Sequence, residues 1–204
     1  MLPSVTAHLS APLASPPQPP GSTTTIGVAI AVPEPWGAQL QDYRTDLGDK
    51  TAAGIPTHIT LVPPVAVAEG GLPVIEQHLA EASTMNNAFK VHLRGTGTFR
   101  PVSPVVFVTV VEGISGCEQL AATLCRGPLE TDLRFPYHPH VTVAHDLDDV
   151  ALDQAFRDLG DFDCAFEVHR FSLYVHDTDS GWVPTRDYPL TASGDLTITS
   201  PPPG

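Results

Sequence analysis

Apolar residues crowd the stretch TTIGVAIAVP on both parities from Thr24, which predicts a strand buried on both faces and ended by Pro33. The next segment, PEPWGAQLQDYRTDLGD, changes period. Trp36, Leu40, Tyr43 and Leu47 recur every three or four residues behind a proline, the pattern of a helix. A short strand is expected from Thr57 to Val62, stopped by Pro63-Pro64. LPVIEQHLAEASTMNN returns to the helical period through Leu72, Ile75 and Leu79. FKVHLRGTGTF and VVFVTVVEG then read as two strands joined around Pro101 to Pro104.

The second half repeats this order. SGCEQLAATLCRGPL predicts a helix and HPHVTVAH a strand. DDVALDQAFRDLGD predicts another helix, with Val150, Ala151, Phe156 and Leu159 on its buried side and acidic residues in its first turn. FEVHRFSLYVH and WVPTRDYPL are expected to form a strand pair around the turn DTDSG. A four-residue echo, Phe89-Lys90-Val91-His92 and Phe166-Glu167-Val168-His169, suggests that His92 and His169 occupy equivalent places in two copies of one unit. The expected fold class is therefore α+β: two pseudo-symmetric lobes with antiparallel sheets lining a central cleft, and helices on the outer faces. This domain is expected over residues 24–192, between a Pro-rich flexible tail at 1–23 and a second tail at 193–204.

Composition narrows the function. With 23 acidic and 10 basic residues the net charge is −13, the wrong sign for gripping a long polyanion. A small phosphate ester in a locally neutral cleft is compatible with it. Arg94, Arg100 and Arg134 are the basic residues expected near the chemistry. The N-terminal stretch lacks the basic start and unbroken apolar run of a secretory signal, and no segment is apolar enough for a membrane span. Cys117, Cys125 and Cys164 form no C-x-x-C pair, so structural thiols and a reducing cytoplasm are expected.

The chemistry lies in a repeated spelling. PTHITLVPPV starts at Pro56 and YHPHVTVAHD at Tyr137, and both hold His-x-Thr before an apolar residue. Strand side chains alternate, so His58 shares a face with Thr60, and His140 with Thr142, while Ile59 and Val141 point the other way. Two such strands facing each other would gather two imidazoles and two hydroxyls. That is the equipment for cleaving a phosphodiester without metal: a neutral histidine takes a proton from the attacking water, and a protonated one gives a proton to the leaving oxygen. The threonines would hold the non-bridging phosphate oxygens.

These residues resemble the two-histidine phosphoesterase superfamily, and within it the 2′–5′ RNA ligase-like proteins. The resemblance runs from about Ile26 to Leu190 and rests on THITLVPP, on YHPHVTVAH and on the terminal RDYPL. It implies catalytic roles for His58 and His140, phosphate-binding roles for Thr60 and Thr142, no cofactor, and action on 2′,3′-cyclic phosphates or 2′–5′ linkages. One position departs from the pattern: many ligase-like members carry an arginine three residues after the second threonine, where this chain has His145.

Tyr137 and His145 are further candidates for substrate contact, and Phe135 for stacking on a base. His138 is expected on the rim, and Trp182 packed or surface-exposed rather than as a platform for a base. Zinc is disfavoured because no histidine or cysteine cluster has metal-ligand spacing and hydroxyls are poor zinc ligands. The function expected is a phosphodiesterase acting as a monomer on a small nucleotide, with no need of long nucleic acid or a membrane. A phosphate-binding module that has kept the fold for regulation is the alternative. A metal hydrolase is the other, separable by chelator.

Overall fold

A computed structural model describes residues 23–68, 70–130 and 135–192. Both expected tails, and Arg134, lie outside the described residues, except that the first strand takes in Thr23. The strands are β1 (Thr23–Ala31), β2 (His58–Ala68), β3 (Phe89–Thr98), β4 (Val105–Glu112), β5 (His140–His145), β6 (Asp163–Val168), β7 (Arg170–Asp177) and β8 (Gly181–Pro189). The helices are α1 (Trp36–Asp46), α2 (Leu72–Thr84), α3 (Ile114–Leu124) and α4 (Asp149–Asp158).

The fold is α+β, with its strands in a single eight-stranded antiparallel sheet of order β6-β3-β4-β5-β2-β1-β7-β8. That order is a palindrome in structural terms. Each half has a motif strand at the centre (β5 or β2), then the strand preceding it in its own unit (β4 or β1), then one strand contributed by the other unit (β3 or β7). The two halves meet through one residue pair, Ile59 with Val141. The sheet is bent until its two ends approach: β6 and β7 stand in opposite halves with only His169 between them, and Thr191 bridges to Asn87 just before β3. The helices cover the outer face, α1 crossing to pack on β5 and α3 on β2. The core runs through Val28, Ile30, Ile59, Leu61, Val141 and Val143 from the strands and Leu40, Leu79, Leu120 and Leu152 from the helices. Burying this outer face is what frees the opposite parity, with both His-x-Thr pairs, for the cleft.

Four local expectations are corrected. β2 does not stop at Pro63-Pro64 but runs on to Ala68. The prolines sit where the pairing to β1 shifts register, Val62 opposite Val28 and Val65 opposite Ile26, so their missing N–H groups break no ladder bond. In α4 the buried side is Leu152, Ala155 and Leu159, while Val150 and Phe156 are exposed. The side chain of Asp148 caps its first turn by accepting from the Ala151 N–H at 2.8 Å. FEVHRFSLYVH is two strands rather than one, broken at His169. Finally, the Phe-x-Val-His echo does not mark symmetry mates. β3 and β6 are direct neighbours in one half, Phe89 opposite Val168 and Val91 opposite Phe166; the palindromic order makes β7 the counterpart of β3.

Candidate active site

Ile59 and Val141 are directly opposed in an antiparallel pair. The residues one step away on either side therefore face one another: His58 faces Thr142, and Thr60 faces His140. Each imidazole lies across from the hydroxyl of the other motif, and all four side chains are buried. Beyond this pair β2 and β5 diverge. Tyr137 fills the gap, its hydroxyl donating to the Thr60 carbonyl at 2.9 Å.

Both imidazoles are fixed in the same way. The Nδ1–H of His58 donates to the carbonyl of Pro56 at 2.5 Å, and that of His140 to the carbonyl of His138 at 2.7 Å. A carbonyl can only accept, so Nδ1 carries the proton and Nε2 is left as the working nitrogen of each ring. On His58 that atom lies 3.2 Å from the Thr60 hydroxyl. Burial pushes His58 down to about 4 against the raising effect of the Pro56 carbonyl, and the charge of Arg44 adds to the lowering. Burial likewise brings His140 down to about 4, opposed by the His138 carbonyl and assisted by the neighbouring His138 and His58 rings. Two buried bases with mutual electrostatic influence, and two hydroxyl donors between them, can accept one proton, deliver another and hold an anion.

Comparison with known proteins gives the family of the chain. The family model for the 2'-5' RNA ligase superfamily matches residues 32–180, which contain both motifs. The chain belongs to the 2'-5' RNA ligase superfamily. Among similar proteins, one from Bacillus licheniformis carrying the name "Putative phosphoesterase" is 28% identical over 146 residues, 71% of this chain and 86% of that one. A protein of the same name from Halalkalibacterium halodurans is 27% identical over 121 residues, 59% of this chain and 70% of the other. The crystal structure of Escherichia coli LigT complexed with 3'-AMP superposes with a TM-score of 0.63 at 21% identity, covering 83% of this chain and 99% of LigT. A Thermus thermophilus protein gives 0.56 at 21% identity, covering 82% and 98%. Both superpositions show a shared overall fold.

Around this candidate site the two halves differ. His140 stands among aromatic rings: Phe99 meets it edge-on at 5.0 Å between centroids, Phe107 lies at 5.1 Å, and exposed His138 stacks on it at 6.1 Å. Phe107 reaches this position because it is paired with Gly97, where an added Cβ would lie 2.5 Å from its ring. On the other side, the strand beside His58 and Thr60 presents only Ala31 and Ala29.

Behind His58 the entry loop is braced by α1. Arg44 is buried, ion-paired to Asp49 at 2.9 Å, and donates to the Ile55 carbonyl at 2.7 Å. Burial alone would lift the Asp49 carboxyl, but hydrogen bonds from Thr51 and the Arg44 guanidinium hold it below its usual range. The Thr57 hydroxyl donates to Gln41 at 2.9 Å, and the Gln41 amide donates to the Ala52 carbonyl. Pattern reading missed Arg44, Phe99 and Phe107, because their link to the motifs runs through register and loop path rather than spacing.

The remaining candidates fall in different places. The Tyr137 ring packs on the core and its hydroxyl is engaged at Thr60, which makes it a strut between the motifs. His145 lies on the opposite strand parity from Thr142. It lines a separate recess of about 390 Å³ with Asp49, Thr51 and Ile55, its Nδ1 3.4 Å from Asp146. Trp182 is buried with Ala29, Ile55 and Tyr174. His92 pairs with Asp163 at 3.1 Å on the sheet surface. Arg94 faces the same carboxylate at 3.6 Å, and Arg100 is held by Asp149 and Asp153 of α4. Among the described residues, no group of three His, Cys, Asp or Glu side chains is arranged to hold a metal.

Proposed function

We propose that this protein is a metal-independent phosphodiesterase that hydrolyses a 2′,3′-cyclic phosphate or 2′–5′-linked nucleotide by two-histidine general acid–base catalysis. The observation that carries the reading is the opposed register, His58 to Thr142 and Thr60 to His140, with both Nδ1 atoms committed to carbonyls. Phosphoesterase activity is supported by the superfamily and by the names of the relatives. The 3'-AMP and ATP complexes of LigT support small nucleotides as the ligand class.

The phosphate settles between the motif strands with its non-bridging oxygens on the Thr60 and Thr142 hydroxyls. One Nε2, neutral, takes a proton as water attacks phosphorus. The other, protonated, gives its proton to the ester oxygen as the P–O bond breaks. Both imidazoles are depressed in the free protein, so the acid must gain its proton from the company of the anionic substrate, which favours the charged ring. The resulting rate profile is bell-shaped, and its two apparent pKa values belong to the pair.

The test is a panel of 2′,3′-cyclic mononucleotides and 2′–5′ dinucleotides, with and without EDTA. His58→Ala and His140→Ala should each lower turnover by roughly 10²–10⁴-fold. Thr60→Ala and Thr142→Ala should lose less, about 1.5–3 kcal/mol each for a hydrogen bond to a charged oxygen. Near-normal turnover in either folded histidine variant sinks the paired-site reading. Activity abolished by EDTA and restored by Zn²⁺ or Mn²⁺ would point to a metal hydrolase, and tight binding without turnover to a regulatory module.

A further inference from the structure

Ala31, the β1 residue paired with His58, opens onto a second polar surface. β1 and β7 are registered with Ala29 opposite Ser172, so the next residues on that face, Ala31 and Arg170, also lie side by side. Arg170 thus stands two strand spacings from His58, about 10 Å across the sheet. The intervening residue is an exposed alanine with no bulk to divide the two places.

Here lies a pocket of about 450 Å³, walled by Ala31, Arg170, Ser172, Thr185, Arg186 and Asp187 among others. A smaller one of about 220 Å³ shares Ala31, Arg170 and Ser172 on its other flank. The polar groups are already positioned. The Ser172 hydroxyl donates to one oxygen of Asp187 at 2.6 Å, and the Nε of Arg170 lies 3.2 Å from the other. Arg186 is steadied by Glu76 at 3.0 Å and by the Tyr188 ring, 5.5 Å from its guanidinium carbon. Two of the chain's 10 basic residues thus meet on one wall, Arg170 against Asp187 and Arg186 against Glu76, in a protein of net charge −13. Lys90, Arg94 and Arg100 are each matched to carboxylates elsewhere. The other cation near His58, Arg44, is buried and engaged by Asp49 and Ile55. A guanidinium whose Nε is held keeps both terminal amino groups for a tetrahedral oxyanion, and ordering it beforehand reduces the entropy lost on binding. On the His140 side the corresponding room is taken by Phe99 and Phe107.

We propose that this pocket binds a second phosphate of the substrate, with Arg170 as its specificity-determining cation and Arg186 at its rim. The substrate class is then a nucleotide carrying a phosphomonoester or diphosphate besides the diester that is cleaved, such as a 2′,3′-cyclic nucleotide with a 5′-phosphate. The inference rests on the phosphodiester reading of the His58 and His140 site, and it can be tested by binding alone.

Calorimetry at fixed ionic strength should compare a nucleoside 3′-phosphate with the corresponding 3′,5′-bisphosphate. In the wild-type protein the bisphosphate should bind about tenfold tighter, the scale of a partly solvated charge-assisted contact. Arg170→Gln should bring the ratio close to one, Arg170→Lys should keep part of it, and Arg186→Gln should lower it partially. Asp187→Asn removes the competing carboxylate and should preserve or raise the ratio. Equal affinities in the wild type, or a preference that survives Arg170→Gln, overturn the proposal. A bisphosphate preference that depends on Arg170, in a protein that cleaves no cyclic nucleotide, would uphold the pocket and count against the phosphodiesterase reading instead.

Discussion

The hydroxyl of Tyr137 donates to the carbonyl of Thr60, tying the segment that leads into the second motif to the strand that carries the first. β2 and β5 share one residue pair and then part, so the Thr60 carbonyl has lost the ladder partner a longer pairing would supply. Tyr137 replaces that partner at the point where the two hydroxyls and two imidazoles must keep their spacing.

Tyr137→Phe should therefore cost more in turnover than its modest loss of contact suggests. Removing a hydrogen bond to a buried carbonyl is expected to destabilise the fold by about 1–3 kcal/mol. Because the ring remains, its packing is retained, and the spacing of Thr60 against His140 is what loosens. A fall in kcat of about tenfold, with a smaller change in KM, is the expected pattern. Unchanged kcat in a variant with a lowered unfolding midpoint would make Tyr137 a stability residue only.

Acid should destabilise the protein through His58 and His140. In the folded state each stays neutral down to about pH 4, whereas the unfolded chain takes up a proton near 6.5. Below pH 6.5 the unfolded state binds more protons, so stability falls as pH drops from 6.5 towards 4, and above that window the two residues add no slope. Each can account for up to about 3 kcal/mol at the acid end. Denaturant unfolding at pH 7, 5.5 and 4.5 should show a smaller loss for the His58→Gln, His140→Gln double variant than for wild type. Parallel curves would mean that the two imidazoles titrate normally in the fold.

Substrate size should follow from charge. At −13 the protein repels an extended RNA more than a mononucleotide, and Arg94 and Arg100 are already occupied by carboxylates. A cyclic mononucleotide is expected to have a higher kcat/KM than a 20-mer ending in the same cyclic phosphate, with a shallow salt dependence. Each phosphate neutralised on a single strand would add a slope of about −0.7 to log K against log salt. A 20-mer that wins at low salt and collapses steeply as salt rises would reveal an RNA-binding groove.

The sequence by itself determined the order of strands and helices, apart from the break at His169 and the reach of β2, together with the α+β class and the four residues of the candidate site. Periodicity marks burial directly, and a His-x-Thr pair on a strand must put both side chains on one face. It also carried the duplication, through the repeated order of elements. Tertiary structure decided how the copies interlock. Whether Phe89–His92 and Phe166–His169 are symmetry mates or neighbours depends on which unit donates each strand, and that is a property of the bent sheet, invisible in local pattern. The environment of each imidazole was decided there too. Phe107 acts on His140 only because β4 pairs with β5 in one register, and Arg44 braces His58 only because the loop after α1 returns beneath it. Tyr137 stands out in the sequence by its place beside the motif; that its hydroxyl ties to the Thr60 carbonyl follows only from where the two strands diverge.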